Sequence, residues 1–325
     1  MSLESDVIVD RRRMRRKLTF WRVVAVLIAI AAIVAFGVYG TPSGRKLAGV
    51  NAIERVKIEG LIRSDQERVE ALERLAKSNA PAVIVHINSP GGTTSGSEQL
   101  YDSLMRLKAK KPLVVVVDGL CASGGYIAAL ASDHIVAQQT ALVGSIGVLF
   151  QFPNFTELLK TVGVQVESVK SSPLKAAPNG YEPTSPEARA ALDALVKDSY
   201  AWFKGLVQTR RSMSEEQLAK VSDGRVFTGR QAVGLKLIDQ LGDEKTAIAW
   251  LVAEKKVKSG LPVHDFKMSP RFGDLTFLRT AAAVTLNALG LSNIARQVEQ
   301  TGVVRAVDRL GLDGMLALWE PAVPN

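Results

Sequence analysis

Residues 113–131 read LVVVVDGLCASGGYIAALA, an apolar run followed by a glycine-rich turn and a second apolar run. The five residues from Leu113 to Val117 are typical of a buried strand, and the stretch from Tyr126 to Ala131 is typical of the start of a helix. Ser123 therefore lies on a strand-to-helix turn, where Gly124 helps to allow a tight backbone. Backbone N–H groups at the start of the helix would face a developing oxyanion. A serine in such a turn is more often only a helix cap, so the turn alone does not predict an enzyme.

Strand and helix patterns alternate along much of the chain. A capping box at Ser64 and Glu67 predicts one helix start, and further helices are predicted from Ser97, Pro186 and Ser214. Strands that alternate with helices predict an α/β fold with a mainly parallel sheet. The other strand patterns lie at residues 56–58, 82–87, 133–136 and 164–169.

Composition and charge narrow the possible classes of protein. The chain has 325 residues and is 47% hydrophobic, which is ample for a core and excludes a disordered protein. The formal net charge is +9, but residues 1–22 alone carry seven Arg or Lys against three acidic residues. No zinc-ligand spacing or aromatic-basic ladder is present, so we predict no nucleic-acid partner. Cys121 is the one cysteine, which excludes an intramolecular disulfide, and its apolar neighbours indicate a core residue.

The N-terminal segment predicts a single membrane anchor. A basic tail over residues 1–22 precedes an uncharged, apolar stretch at 23–39, which approaches the roughly 20 residues of a transmembrane helix. Arginines before this helix favour a cytoplasmic N-terminus, so the remainder is expected across the membrane, after a linker at 40–51. A cleaved signal peptide is the alternative. Against it, the apolar stretch exceeds the roughly 7 to 15 residues of a signal core, and no clear cleavage site follows.

Three further stretches hold residues that could act with Ser123. Gly91 and Gly92 follow the second strand pattern and could present backbone donors to a bound carbonyl, although Asn-Ser-Pro-Gly-Gly is by itself a turn signal. Ser145 lies between glycines, where a serine is more often a turn residue than a catalytic one. Lys175 is the fourth candidate, but most lysines are solvated surface charges.

Taken in this order, the four stretches resemble the signal peptide peptidase A family, the membrane-bound Ser-Lys peptidases of family S49. Lys175 follows Ser123 by 52 residues and Ser145 follows it by 22, which matches the short bacterial form. The stretch DGRVFTG at 223–229 resembles the family's downstream segment, and the similarity covers residues 52–255. The resemblance implies a ClpP/crotonase-like fold and a homo-oligomer anchored in the bacterial inner membrane, with its catalytic domain on the periplasmic side. It also implies degradation of remnant signal peptides, which are apolar peptide substrates, without a metal or other cofactor.

The resemblance implies roles for single residues as well. Ser123 would be the nucleophile, Lys175 the general base, and Ser145 a hydroxyl that orients the lysine amine. An ordinary lysine is protonated at neutral pH because its pKa is about 10.4, so a lysine base needs burial that disfavours the charged form. Apolar residues on both sides of Lys175 are consistent with such burial. The backbone N–H groups expected to bind the oxyanion are those of Gly91, Gly92 and Gly124.

Other residues and other functions are open at this point. Lys170 is a second lysine near the expected base, although not at the family's position. A Ser-His-Asp triad with Asp133 and His134 is a further option, but adjacent strand residues point to opposite faces, and His86 also sits in an apolar strand pattern. The alternative functions are a related Ser-Lys peptidase that cuts an intact membrane or envelope protein, an inactive membrane-tethered scaffold, and an acyl-CoA enzyme of the crotonase type.

The C-terminal extension, residues 256–325, differs from the preceding part. A turn-rich stretch is followed by an alanine-rich, apolar helix pattern at 275–289. Such a helix could pack on a neighbouring subunit, lie on the membrane or complete the fold, and packing is the favoured interpretation.

Overall fold

The computed structural model describes Trp21, Val24, residues 51–268 and residues 316–318. The chain divides into two compact units, of which the second begins at Ile53. In the described part of the chain, no helix is both long and apolar enough to cross a membrane.

Two predicted segments fall on other residues. The membrane anchor at 23–39, with nearly all of the basic tail before it and of the linker after it, lies outside the described residues. The apolar helix at 275–289 lies outside them too. Both segments stay predictions.

The described elements alternate between strands and helices, as the sequence patterns predict. The strands are β1 (Ile53–Glu59), β2 (Val83–Ser89), β3 (Gly91–Thr93), β4 (Leu113–Ala122), β5 (His134–Ala137), β6 (Leu142–Gly144), β7 (Val226–Thr228), β8 (Gln240–Leu241), β9 (Val263–Asp265) and β10 (Leu316–Leu318). The helices are α1 (Gln66–Ala76), α2 (Thr94–Lys108), α3 (Gly124–Ala129), α4 (Thr156–Thr161), α5 (Pro186–Arg211), α6 (Glu215–Val221), α7 (Gly229–Gly234) and α8 (Glu244–Lys255).

The strands build one large sheet. Its main path runs β7-β6-β4-β2-β1-β9, and β5 joins it by pairing with both β4 and β8. Every described pair in this sheet is parallel except β6 with β7. β4 is long enough to pair with β5 along its first half and with β6 along its second half. The predicted α/β fold with a mainly parallel sheet is confirmed.

Both faces of the sheet are covered, which explains the apolar run that begins β4. Val115 and Val117 belong to the larger core, which they share with residues of α1, α2, α3 and α5. Val114 and Val116 face the other side and pack in a smaller core with Leu251 of α8. A strand buried on both faces needs apolar residues at every position, so it loses the alternation of a half-buried strand.

Two local predictions are wrong. The stretch 164–169 forms no strand, and Val169 is fully exposed, because this apolar alternation pairs with no strand among the described residues. Helix α1 is capped by Asp65, whose Oδ1 accepts the N–H of Arg68 at 3.0 Å, and not by a capping box at Ser64. Ser64 and Asp65 are both good caps, and the choice between them depends on where the chain leaves β1.

Candidate active site

Ser123 lies at the junction of β4 and α3 on a backbone that residues other than glycine rarely adopt. Its φ and ψ angles are 53° and −116°, and it is 1% exposed. Its N–H donates to the carbonyl of Gly144 at 2.7 Å, and its Oγ donates to the carbonyl of Gly147 at 3.4 Å. Such strained residues cost about 1–3 kcal/mol each and occur mostly at functional sites. The Ser123 side chain makes no cap hydrogen bond to α3, which disfavours the interpretation as an ordinary helix cap.

Ser145 is brought next to this turn by the sheet. β4 and β6 run parallel with Ala122 paired to Gly144, so the residues that follow, Ser123 and Ser145, leave neighbouring strand ends. Ser145 also has a positive φ, 52°, and its N–H donates to the carbonyl of Arg225 at 2.9 Å. Two of the residues predicted to act together therefore lie side by side on two strained turns.

The glycine strand β3 enters the site from the other side of β4. β2 pairs with β4 as far as Ser89, which lies opposite Cys121, and β3 follows directly. The N–H of Gly91 donates to Ser89 Oγ at 3.1 Å and is therefore engaged. Gly92 has no room for a side chain, because a Cβ there would lie 1.8 Å from the carbonyl oxygen of Ile62. The close approach of β3 to Ile62 thus requires a glycine.

The hydrogen bonds to Ile62 determine which glycine can serve as an oxyanion donor. Ile62 N–H donates to the Gly91 carbonyl at 2.8 Å, and Thr93 N–H donates to the Ile62 carbonyl at 2.9 Å. Backbone groups of successive strand residues alternate between the two edges, so the N–H and carbonyl of Gly92 face away from Ile62. Of the two glycines predicted for this role, Gly92 is the one with an N–H on the outer edge.

Gly124, the remaining predicted donor, is the first residue of α3. The first N–H groups of a helix have no partner within the helix, and here the first intrahelical bond runs from Ile127 N–H to the Ser123 carbonyl at 3.0 Å. The next glycine, Gly125, allows α3 to pack on β2, because a Cβ there would lie 2.9 Å from the carbonyl oxygen of Ser89. Gly124 thus provides a backbone N–H at the start of the helix, whereas Gly125 allows the close packing of α3 on β2.

Lys175 is the predicted site residue that the structure does not bring to the others. It lies on a turn-rich segment between α4 and α5, and both Lys175 and the preceding Leu174 are exposed. Ser123 Oγ bonds the carbonyl of Gly147, and no hydrogen bond links it to Lys175 among the described residues. In the single chain this lysine therefore lacks the burial that a neutral amine requires.

The alternatives to Lys175, which are Lys170 and His86, contact carboxylates. Lys170 Nζ lies 2.6 Å from Glu182 Oε2, and this hydrogen bond lowers the pKa of the Glu182 carboxyl. The amine of Lys170 is thus engaged in an ion pair with Glu182. Both ring nitrogens of His86 meet carboxylates, Asp118 at 2.9 Å and Glu244 at 2.8 Å.

The Ser-His-Asp alternative fails on position. His134 pairs with Val114 near the start of β4, whereas Ser123 follows the last residue of β4. Nine residues of strand at about 3.3 Å each separate the two ends by roughly 30 Å. Asp133 is occupied as well, because its carboxylate accepts the N–H of Leu113 at 2.9 Å.

Two parts of the site are not predicted by the sequence patterns. Arg225 supports the Ser145 turn through its carbonyl, and Phe227 packs within 3.2 Å of the position of a Cβ on Gly144. Both residues belong to the stretch 223–229, which resembles the family's downstream segment but whose sequence indicates no structural role. The second part is β10, which pairs with β3; its signal was a short apolar run, Met-Leu-Ala-Leu-Trp, near the C-terminus.

Comparison with protein families agrees with this geometry. The profile of Peptidase family S49 matches residues 105–258, which include Ser123, Ser145 and Lys175. The Clp protease profile matches residues 62–142, the part of the chain that contains β2, β3 and β4. The second match supports the ClpP-like fold expected from the sequence.

Three relatives are similar along the same part of the chain. A Synechocystis sp. protein provisionally named a protease is 36% identical over 200 residues, which is 61% of this chain and 72% of that protein. Protease 4 of Salmonella typhi is 34% identical over 178 residues, 54% of this chain and 29% of that protein. An Enterococcus faecium protein provisionally named a signal peptide peptidase, SppA, is 30% identical over 194 residues, 59% of this chain and 56% of that protein.

Proposed function

Because this chain belongs to peptidase family S49, we propose that it is a serine endopeptidase in which Ser123 is the nucleophile and Lys175 the general base. The observation that carries the proposal is the strained turn at Ser123. A buried serine is held there at positive φ, at a strand end next to the one that Ser145 follows. Strain of this kind persists only where the surrounding structure maintains it, which fits a presented nucleophile.

The proposed reaction has two halves. Ser123 Oγ attacks a peptide carbonyl carbon while Lys175 Nζ takes the hydroxyl proton, and the N–H groups of Gly92 and Gly124 bind the oxyanion. The C–N bond then breaks, and the lysine returns the proton to the leaving amine. A water molecule cleaves the acyl ester in the same way, which consumes one water per peptide bond. Ser145 orients the amine of Lys175.

Lys175 can act as proposed only if it is covered. In the single chain the segment around it exposes apolar side chains at Val162, Val164, Val166, Val169 and Leu174. Several exposed apolar side chains on one segment are typical of an interaction surface, and burial of this segment would desolvate the lysine at the same time. We therefore propose a homo-oligomer in which a second copy covers this segment and completes the site.

The proposed substrates are apolar peptides left after preprotein cleavage. The name of the Enterococcus faecium relative refers to signal peptides, and the apolar stretch at 23–39 would anchor this chain in a bacterial inner membrane, where such remnants are produced. With a cytoplasmic N-terminus, the peptidase domain lies on the periplasmic side. Protease added to spheroplasts should then digest the domain and spare an N-terminal epitope tag, whereas a protected domain would contradict this orientation.

Hydrolysis of fluorogenic apolar peptides by the full chain in detergent tests the dyad. We expect Ser123→Ala and Lys175→Ala to lower kcat/KM by at least about a thousandfold, with wild-type activity rising toward alkaline pH as the base loses its proton. Ser132→Ala is the matched control, since Ser132 is a buried serine three residues after the end of α3, and its Oγ donates to the Ala129 carbonyl at 2.8 Å. Full activity in either dyad variant would remove its assigned role.

The alternatives predict other outcomes. A related peptidase that cuts an intact membrane or envelope protein would degrade such proteins and leave short apolar peptides, although it would lose activity in the same variants. A membrane-tethered scaffold would show no hydrolysis, and its cellular phenotype would be unchanged by Ser123→Ala. The strained backbone at Ser123 favours the peptidase, because a scaffold has no use for it.

A further inference from the structure

The helix that follows the nucleophile, α3, is short and fully buried. Its six residues read GGYIAA, and every one of them is buried. Four of the six are glycine or alanine, so few side chains interdigitate with neighbouring elements and fix the helix along its axis. Leu130, the residue after the helix, is seven residues from Ser123, which is about 10 Å along the axis. A displacement at the far end of α3 therefore reaches Ser123 and the N–H of Gly124.

The far end of α3 is bound by Arg210, which lies in the last turn of α5. Arg210 Nε donates to the carbonyl of Leu130 at 2.7 Å, and its Nη2 donates to the carbonyl of Ser132 at 3.0 Å. The last carbonyls of a helix have no partner within the helix and carry the negative end of its dipole, so a guanidinium suits them. Because the guanidinium is planar and rigid, its two hydrogen bonds fix the direction of the contact as well as its length.

A second cation reaches the same carbonyl. Lys108, the last residue of α2, donates through Nζ to the carbonyl of Ser132 at 3.0 Å. Burial lowers the pKa of Lys108, and the nearby charge of Arg210 lowers it further, although Asp133 offsets part of this effect. Hydrogen bonds from charged donors are stronger than neutral ones. Two helices thus hold the end of α3 through charge-assisted bonds, in spite of the repulsion between their cations.

On the basis of the proposed peptidase function, we propose that Arg210 is a positioning residue that keeps α3 where Ser123 Oγ and the Gly124 N–H can reach a substrate carbonyl. Arg210 acts through the helix, because it lies at the opposite end of α3 from Ser123. A misplacement of about 1 Å caused by a residue far from the chemistry can lower the rate roughly a hundredfold. The groups that α3 carries act in the transition state, so the loss should fall on kcat and leave KM nearly unchanged.

Hydrolysis of a fluorogenic apolar peptide by the full chain in detergent gives the first test. We expect Arg210→Ala to lower kcat about a hundredfold, with KM within about twofold of the wild type. Guanidinium ion at millimolar concentration, far below denaturing levels, should raise the kcat of this variant at least about tenfold by filling the site of the lost side chain. A folded Arg210→Ala protein that keeps wild-type kcat, or one that guanidinium does not rescue, would contradict the proposal.

Arg211→Ala is the matched control for a general loss of stability. Arg211 is the next residue of α5, and its Nε donates to the carbonyl of Lys236 at 2.6 Å, while its Nη2 donates to Asp239 Oδ1 at 2.8 Å. None of the hydrogen bonds of Arg211 among the described residues reaches α3. We expect the kcat of Arg211→Ala to stay within about threefold of the wild type. An equal loss of kcat in both alanine variants would show that Arg210 has only a structural role.

Arg210→Lys tests the contact if the alanine variant does not fold. Lysine keeps the positive charge but lacks the planar fork that bonds two carbonyls at once, so we expect a kcat roughly tenfold below that of the wild type. Wild-type kcat in Arg210→Lys would mean that charge alone suffices, and the assignment of a two-point contact would be wrong.

Amide hydrogen exchange separates this proposal from the peptidase proposal, because it requires no catalysis. Exchange of residues 124–131, followed by mass spectrometry, should be at least about tenfold faster in Arg210→Ala and unchanged in Arg211→Ala. Faster exchange in Arg210→Ala, combined with no hydrolysis of any peptide by the wild type, would support the contact and contradict the peptidase. An active wild type, with exchange and kcat both unchanged in Arg210→Ala, would overturn the inference and leave the peptidase supported.

Discussion

Ser123 holds a backbone conformation that suits glycine better than serine. With φ at 53° and ψ at −116°, Ser123→Gly should relieve about 1–3 kcal/mol of strain, offset by roughly 0.5–1 kcal/mol of added unfolded-state entropy. Ser123→Ala loses the same hydroxyl and keeps the strain. We therefore expect Ser123→Gly to be the more stable variant by about 1 kcal/mol in urea unfolding, with no activity in either. An alanine variant of equal or greater stability would show that the turn is not strained.

The types of residue in the site could be predicted from the sequence. Which of the candidate residues is positioned to act could not. The spacing of Ser123, Ser145 and Lys175 resembles that of the family, and the glycine pairs indicate backbone donors. The preference for Gly92 over Gly91 depends on the hydrogen bonds of Ile62, a residue from another part of the chain. The exposure of Lys175 likewise depends on tertiary packing, which local apolar residues do not determine.

At the scale of elements, α8 is fixed to the sheet through a charged cluster at its first turn. Glu244 accepts hydrogen bonds from Arg55 of β1 at 2.5 and 2.6 Å, and it meets His86 of β2 at 2.8 Å. The hydrogen bond from Arg55 is the main reason that the pKa of Glu244 lies below its usual value of 4.5, and His86 lowers it further. The cluster therefore makes the attachment of α8 dependent on pH.

This cluster gives a prediction with a definite sign. Because the pKa of Glu244 is lower in the folded than in the unfolded state, its ionised form stabilises the fold above about pH 4.5, and this contribution is lost as the pH falls through the folded pKa. We expect Glu244→Gln to lower the free energy of unfolding by about 1 kcal/mol at pH 7 and by progressively less toward pH 3.5. Urea titrations at both pH values measure the difference.

The control for this prediction is an exposed ion pair. Glu157 and Lys160 lie 2.7 Å apart on the surface of α4. Glu157→Gln should change stability little at either pH, because solvent screens such pairs. A Glu244→Gln effect that is as small at pH 7, or that does not shrink in acid, would show that the cluster does not fix α8.

Elements were predictable where the pattern was local. The central apolar run of β4 and the proline that opens α5 could be placed because burial and capping chemistry determine them. The stretch 164–169 has the same kind of apolar residues but pairs with no strand in the described part of the chain, and strands need partners. β10 could not be predicted for the opposite reason, since three apolar residues become a strand only through pairing with the distant β3.

At the scale of the whole molecule, the proposed oligomer can be tested by mixing two inactive variants. If a neighbouring copy brings Lys175 to Ser123, Ser123→Ala and Lys175→Ala subunits mixed before assembly should recover activity, up to about a quarter of the wild type when each site draws its two residues from different subunits at random. A mixture that stays inactive, although light scattering shows mixed oligomers, would mean that both residues come from one subunit.

The position of Cys121 makes this residue a probe of local unfolding next to Ser123. The thiol is fully buried two residues before Ser123, and burial raises its pKa. It is the chain's single cysteine, so an alkylating reagent has one target. Its rate of modification would therefore measure how often local unfolding of β4, the strand that precedes Ser123, exposes the thiol in the intact enzyme.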